Sequence, residues 1–236
     1  MPEDKDFTGF TKATVRFLLD LKKNNNRPWF ERHRKTYETQ VLEPAKAFVI
    51  AMAPRLKTIS PHIIAVPKIN KSLFRINRDT RFSLDPSPYK TNLGIYFWEG
   101  GPFRMECSGF YFHVEPPKLI LGTGYYIFTD RLLEKYRRAV VHPKYGRELA
   151  RILASILETG EYQLGGSHYK RVPAGFDPAH SNAQWLLHNG LYASWEGGIP
   201  EEFFKPELAD FCFQKYQAAA PLHKWLVALV TRTHIG

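Results

Sequence analysis

The middle of the chain has β periodicity and lies between two helical regions, and this order constrains the fold more than any other feature. Three segments rich in aromatic and β-branched side chains follow one another, separated by glycine or proline: residues 93–99, 105–115 and 119–128. Such segments are typical of strands joined by tight turns, so we predict an antiparallel meander. In the second strand, alternation places Phe110, Phe112 and Val114 on one face and Tyr111, His113 and Glu115 on the other.

Helical patterns lie on both sides of this predicted sheet. Before it, they cover residues 11–23, a segment that starts at Pro28, and residues 43–57. In the first of these, Val15, Leu18, Leu19 and Lys22 mark one stripe of the helix and its border. After the predicted sheet, helical patterns cover residues 130–140, the periodic run 149–157, and a terminal pair near 206–216 and 221–231. This order indicates an α+β fold, a central antiparallel sheet flanked by N-terminal and C-terminal helices.

The length suits one large domain or two small ones that share a core, and we predict a single domain over residues 1–236.

The positive charge is concentrated in two stretches. The net charge is +10, of which residues 12–37 contribute +6 and residues 68–90 contribute +4. Clustered cations attract phosphates, nucleic acid or acidic partners. The first stretch also fits the ordinary solvated face of a helix. The positive net charge is therefore compatible with two classes of ligand, an anionic small molecule and nucleic acid.

Several classes of protein do not fit the sequence. The apolar runs are too short to cross a bilayer, and residues 1–6 are acidic with no signal-peptide core behind them. Cys107 and Cys212 cannot form a disulfide framework and are expected to be buried free thiols. We therefore predict a cytoplasmic protein with no membrane partner. The sequence specifies neither a cofactor nor an oligomeric state.

Residues 74–90 contain the densest candidate site. Three arginines, Arg75, Arg78 and Arg81, lie within seven residues, and Asp79 stands between the last two. Guanidinium groups bind phosphate and carboxylate through paired donors, and an aspartate beside them can orient them or act as a base. Further candidate residues are Tyr89 as a hydroxyl donor, Lys90 as a mobile cation, and Arg27 and His113 as ligand contacts. Alternatively, Asp79 pairs with an arginine and the loop buries Phe74, Phe82 and Tyr89 as a structural clamp.

Standard catalytic and metal-binding motifs do not appear in the chain. The sequence lacks a phosphate loop, a dinucleotide fingerprint and a nucleophile elbow. Nine histidines are scattered without zinc-ligand spacing, and His113 with Glu115 supplies only two ligands on one strand face. We therefore predict no metal site.

The arginine segment resembles the hallmark of the family named domain of unknown function 2461. The resemblance rests on the pattern from Arg75 to Phe82 and on the later run from Pro88 to Thr91. Supporting matches extend across nearly the whole chain: residues 7–10, 24–30, 109–111, 171–178 and 221–222. Such proteins usually carry lysine after Asp85, where this chain has Pro86. The resemblance implies kinship and, as the family name says, assigns no activity.

Three functions follow as hypotheses. The first is binding of a phosphate-bearing or other anionic small ligand at the arginine loop, with the question of catalysis left open. The second is a nucleic-acid-binding module, whose affinity would fall steeply with salt. The third is a non-catalytic protein in which the arginine motif is structural, so that Arg78→Ala would unfold it.

Overall fold

A computed structural model describes residues 6–81 and 85–232 of the chain. The residues fall into two compact units, each built from separate segments. The first unit comprises Met1–Phe97, Tyr111–Leu121 and Glu196–Gln214, and the second comprises Trp98–Phe110, Gly122–Trp195 and Lys215–Gly236. The single domain expected from the sequence stays a prediction.

The N-terminal helices of the first unit follow the predicted boundaries closely. Helix α1 (Lys12–Lys23) begins at Thr11, which forms a reciprocal capping box with Thr14. Helix α2 (Arg27–Tyr37) begins at Asn26, whose side chain accepts a hydrogen bond from the Trp29 N–H. A short π-helical turn (Glu38–Leu42) leads into α3 (Glu43–Ile59).

The apolar stripe of α1 differs from the predicted one. Its buried residues are Thr14, Phe17, Leu18 and Leu21, whereas Leu19 is 40% exposed. The predicted stripe was wrong because leucines at both 18 and 19 are compatible with two different buried faces of the helix. The burial of Phe17 selects the face that contains Leu18 and Leu21, not the one that contains Leu19.

The predicted meander is the start of a five-stranded antiparallel sheet. The strands are β1 (Leu93–Glu99), β2 (Ser108–Glu115), β3 (Lys118–Tyr125), β4 (Tyr162–Ser167) and β5 (His188–Gly198), in the order β1-β2-β3-β5-β4. The α+β prediction is confirmed. β4 and β5 were not predicted, because glycines interrupt the apolar alternation in both, and the register shifts between Gly165 and Ser167.

The second unit packs its helices around one apolar cluster. Helix α4 (Asp130–Val141) is capped by Thr129, and α5 (Tyr145–Glu158) buries Leu149, Leu153 and Ile156 as the sequence period predicted. Leu157, the last residue of the predicted periodic run, is 42% exposed. Tyr136, Leu191 and Trp225 from three different elements complete the cluster and are almost wholly buried.

The predicted terminal pair of helices is one continuous helix. Helix α6 (Leu208–Thr231) contains Pro221 in its interior, so the prediction of a break there was wrong. Proline removes one backbone donor and crowds the preceding turn, which normally ends a helix. Here small alanines precede it at 218–220, and the buried Leu222, Trp225 and Leu226 hold the helix beyond it. In the described part of the chain, no helix is long and apolar enough to cross a membrane.

Stacked phenylalanines form the core of the first unit. Phe10 stacks on Phe203 with ring centroids 4.8 Å apart and also contacts Phe48 and Phe112. The Phe10 N–H donates to the Phe203 carbonyl at 2.9 Å. Gly9 makes this close approach feasible, because its φ is +102° and a β-carbon there would lie 2.4 Å from the Lys205 nitrogen.

Gly9→Ala should therefore destabilise the protein strongly. We expect the free energy of unfolding to fall by about 2–4 kcal/mol, since the substitution combines backbone strain with a backbone clash. Gly198→Ala is the matched control, because nothing lies within 4 Å of its added β-carbon. Urea denaturation of both variants measures the difference, and equal stabilities would contradict this account of the core.

Candidate functional site

The arginine segment forms one arm of a β-ribbon within the first unit. Its other arm is the chain that leads into β1. An isolated antiparallel bridge pairs Asn77 with Tyr89. The hydrogen bonds of this bridge run from Arg78 N–H to Pro88 C=O at 2.9 Å and from Lys90 N–H to Ile76 C=O at 2.7 Å. A further bond runs from Phe74 N–H to Gly94 C=O at 3.1 Å. The described arms of the predicted loop are therefore held in an extended conformation.

The side chain of Asn25 anchors this ribbon. Its amide nitrogen donates to the Tyr89 carbonyl at 2.8 Å, and its amide oxygen accepts from the Tyr89 N–H at 3.1 Å. The Tyr89 ring is 5% exposed and stacks on Phe30 of α2 with centroids 4.1 Å apart. The side chain of Asn25, which lies between α1 and α2, thus fixes the backbone of the arginine loop at Tyr89.

Alternation along the ribbon divides its side chains between two faces. One face and the neighbouring strand β2 line a cavity of about 370 Å³, which lies wholly in the first unit. The residues around it are Phe74, Arg78, Asp79, Lys90, Asn92, Tyr111 and His113. Four of the five ribbon residues in this lining occupy even positions, and Asp79, next to Arg78, is the exception. Tyr89, at an odd position, turns the other way and packs in the core.

Two cations stand on the ribbon side of the cavity. The Arg78 guanidinium pairs with Asp85, and its side chain is 26% exposed. The Lys90 ammonium lies 5.3 Å from the centroid of the Phe74 ring, a distance typical of a cation–π contact. Both side chains are partly buried, so their charges are less screened by water than those of fully exposed cations.

Asp79 is held by the arginine that follows it. The Arg81 Nε and Nη2 atoms donate to the two carboxylate oxygens of Asp79 at 2.9 and 2.7 Å. Chiefly through this pair, the pKa of Asp79 falls to about 2. A carboxylate with so low a pKa accepts protons poorly near neutral pH, so the geometry suits Asp79 to orienting Arg81 rather than to acting as a base.

The opposite wall carries a connected set of titratable side chains on β2. The Tyr111 hydroxyl lies 2.9 Å from Nδ1 of His113, and the His113 Nε2 lies 3.9 Å from the carboxylate of Glu115. These residues are two apart, so they share one face of the strand, as the sequence predicted. The Thr91 hydroxyl donates to Glu115 at 2.9 Å, and Lys22 lies 3.5 Å from the same oxygen.

Burial sets the protonation of His113. Desolvation lowers its pKa, and the nearby Glu115 carboxylate only partly opposes that effect. The folded structure therefore favours the neutral form of His113. In the tautomer that directs Nε2–H toward Glu115, Nδ1 accepts a hydrogen bond from the Tyr111 hydroxyl.

Gly94 of β1 makes room for the Tyr111 hydroxyl. A β-carbon at Gly94 would lie 3.1 Å from that oxygen and 3.1 Å from the Phe74 ring. Glycine in a strand interior often marks such a close approach. Together the ribbon, β1 and β2 produce a small cavity with cations on one side and a Tyr–His–Glu chain on the other.

A comparison with protein families bears on the chain as a whole. The model of the family described as conserved hypothetical protein (DUF2461) matches residues 13–225. The chain belongs to this family. The matched region includes every residue that lines the cavity in the described structure, so the cavity is built from the family domain itself. Neither a curated protein nor a solved structure gives a significant match.

The structure brings together half of the residues that the sequence selected in this DUF2461 member. Arg78, Asp79, Lys90 and His113 line the cavity. Arg75, Arg81, Arg27 and Tyr89 are not among its described lining, and their predicted roles stay predictions. Phe82, part of the alternative structural clamp, lies outside the described residues.

Sequence reasoning did not select Tyr111 or Asn92 as site residues. Tyr111 carried a usable signal, because it precedes His113 by two positions on the same face of a predicted strand. Asn92 carried none, since its place depends on the ribbon's pairing. Within residues 6–81 and 85–232, no cluster of three or more His, Cys, Asp or Glu side chains is arranged to hold a metal ion.

Removal of the Asn25 side chain should loosen the ribbon. Asn25→Ala leaves the Tyr89 N–H and carbonyl without their protein partner, and we expect about 1–3 kcal/mol of lost stability. Asn25→Asp is the informative companion, since it retains the acceptor for the N–H but not the donor to the carbonyl. Hydrogen exchange at the Tyr89 amide should therefore accelerate more in Asn25→Ala than in Asn25→Asp. Unchanged protection in both variants would rule out Asn25 as the anchor.

The lowered pKa of His113 predicts a pH-dependent contribution to stability. The unfolded chain binds the His113 proton more tightly than the folded one, so this residue makes stability fall as pH drops below about 6.5. His113→Gln should remove that part of the slope between about pH 7 and pH 5, as measured by urea denaturation at each pH. Identical slopes for the two proteins would show that His113 titrates normally.

Proposed function

We propose that the cavity between the arginine ribbon and β2 binds a small ligand carrying a phosphate or carboxylate group. The observation that carries this proposal is the pairing of two cations, Arg78 and Lys90, with the Tyr111–His113 hydrogen bond around one small cavity. The volume of about 370 Å³ lies within the range of small-molecule sites.

The two cations have complementary ways of binding an anion. A guanidinium offers a planar pair of N–H donors to two oxygens of a phosphate or carboxylate. An ammonium acts as a compact point charge with three rotatable donors. Asn92 adds an amide to the same lining, which can hydrogen-bond a neutral part of the ligand.

Asp85 helps to keep Arg78 in place before a ligand arrives. The carboxylate accepts from the Ser87 N–H at 2.9 Å as well as from Arg78. Its pKa falls to about 2, mainly through Ser87 and then through Arg78, so it remains ionised. Because Asp85 is more than half exposed, this ion pair orients the guanidinium without contributing much to stability.

The Tyr111–His113–Glu115 chain could move a proton to or from the bound ligand. A neutral histidine that accepts from Tyr111 can take its proton while the hydroxyl oxygen interacts with the ligand, and Glu115 would favour the resulting imidazolium. We therefore propose acid–base chemistry on an anionic substrate as the enzymatic form of this function, with Tyr111 next to the substrate.

Nucleic acid is the alternative ligand for the same charges. Several cations of the N-terminal helices are exposed, including Lys12, Arg27 and Arg32. Binding of nucleic acid would draw on many such contacts and would weaken steeply with salt. The small cavity favours a compact ligand, because it presents its cations from a concave surface and not along an extended groove.

A ligand screen with matched arginine variants tests the proposal. Thermal melting would be followed with nucleotides, sugar phosphates, carboxylates and short oligonucleotides, for wild type, Arg78→Gln and Lys90→Gln. We expect one class of small anion to stabilise the wild type, by about 2.7 kcal/mol at a hundredfold excess over Kd. Arg78→Gln and Lys90→Gln should remain folded and lose most of this gain.

Arg75→Gln is the control for charge alone. It removes the same charge from the same segment, but Arg75 is exposed and is not among the described lining of the cavity. It should retain the stabilisation seen in wild type. Equal losses in Arg75→Gln and Arg78→Gln would indicate general charge attraction and contradict a specific pocket. Stabilisation by oligonucleotides alone would support the nucleic-acid alternative.

A further inference from the structure

The second unit contains a larger cleft, separate from the cavity described above. Its volume is about 710 Å³, and all of its described lining residues belong to the second unit. Helix α4, which the sequence analysis predicted only as a helix over residues 130–140, forms much of its wall. The other side comes from the end of α6, with Val230, Thr231 and Arg232.

Most of the charged side chains that line this cleft are cations. Arg131, Lys135 and Arg138 recur at i, i+4 and i+7 along α4, so they project from one face of the helix. Arg232 adds a fourth cation. The two acids in the lining are Glu106 and Glu134, and Glu134 is 2.6 Å from Arg138. The lining therefore carries a net charge of +2 (four cations minus two carboxylates).

The arrangement places like charges near one another at a cost in stability. Burial lowers the pKa of Lys135, and repulsion from Arg131 and Arg232 adds to that effect. Lys135 also donates to the Val230 carbonyl at 2.7 Å, which anchors its ammonium at the end of α6. Repelling cations that are held in place in a cleft are typical of a site that an anion completes.

Arg232 has an unused donor. Its guanidinium lies over the rings of Tyr145 and Trp225, with centroid distances of 4.2 and 5.1 Å, and its Nη2 is 3.4 Å from Glu148. Its Nη1 is buried and has no hydrogen-bond partner among the residues that the structure describes. A buried guanidinium nitrogen without an acceptor is costly. The residues that this guanidinium contacts, Tyr145, Trp225 and Glu148, are not in the described lining of the cleft, so Arg232 contributes its positive charge to the site rather than a contact through Nη1.

We propose that this cleft is a second anion site, for a small molecule that carries a diphosphate or triphosphate group. Two or more adjoining anionic groups match cations spread over two turns of α4 and the end of α6, whereas a single phosphate would reach only part of the set. The side chains of Leu132 and Val230 provide apolar surface beside the charges for the remainder of the molecule. The proposal is independent of the function assigned to the smaller cavity.

Titration calorimetry with inorganic pyrophosphate, in EDTA and at constant ionic strength, tests the second site in an Arg78→Gln background, which removes a cation of the smaller cavity. We expect one molecule to bind per chain, about tenfold or more tightly than orthophosphate under the same conditions. Arg131→Gln should weaken pyrophosphate binding by about tenfold, because a charge-assisted contact is lost. Arg131 is exposed, so this variant should fold normally. Arg232→Gln should weaken binding as well.

Two controls locate the pyrophosphate. Arg151→Gln, made in the same Arg78→Gln background, removes an exposed cation of α5 that is not in the described lining. It should bind pyrophosphate as its Arg78→Gln parent does. The chain with wild-type Arg78 is the second control, because any additional pyrophosphate that it binds belongs to the smaller cavity. The proposal is overturned if the Arg78→Gln parent does not bind pyrophosphate, or if adding Arg131→Gln leaves its binding unchanged.

Discussion

Two hydrogen bonds between the Asn25 amide and the Tyr89 backbone hold the candidate site together. They fix one arm of the ribbon, and the backbone pairing of that arm fixes the other. Once the ribbon is in place, strand alternation decides which side chains meet. Tyr89 packs on Phe30, whereas Arg78 and Lys90 reach the cavity. Only this anchoring determines which charged side chains of the arginine segment face the cavity.

Much of the fold could be predicted from the sequence because its elements have strong local signals. Helix α1 has a capping threonine, α2 has an early proline, and β1 contains four consecutive β-branched and aromatic residues, Ile95–Trp98. The predictions failed for elements in which contacts between residues far apart in the sequence outweigh the local conformational preference. Pro221 predicted a break, yet burial of the following turn keeps α6 continuous. β4 and β5 contain glycines that only pairing with neighbouring strands can organise.

The candidate site was predicted only in part, because the sequence shows where arginines are concentrated but not how contacts between distant residues orient them. The density of arginine revealed the segment, but composition does not say which arginine faces a cavity. Arg78 lines it, while Arg81 points to Asp79 in a local pair that sequence spacing already suggested. The role of Tyr111 depends on the distance of its hydroxyl from His113 and on the space that Gly94 leaves. Both are properties of the assembled sheet.

Backbone amide NMR with added inorganic phosphate would show whether a small anion binds between the ribbon and β2. We expect saturable shifts at Arg78, Lys90, Asn92 and His113, with little change at Arg75 and Arg27. These shifts should be absent in Arg78→Gln. Shifts spread over the exposed cations of α1 and α2, with none around the cavity, would show that the anion does not bind there.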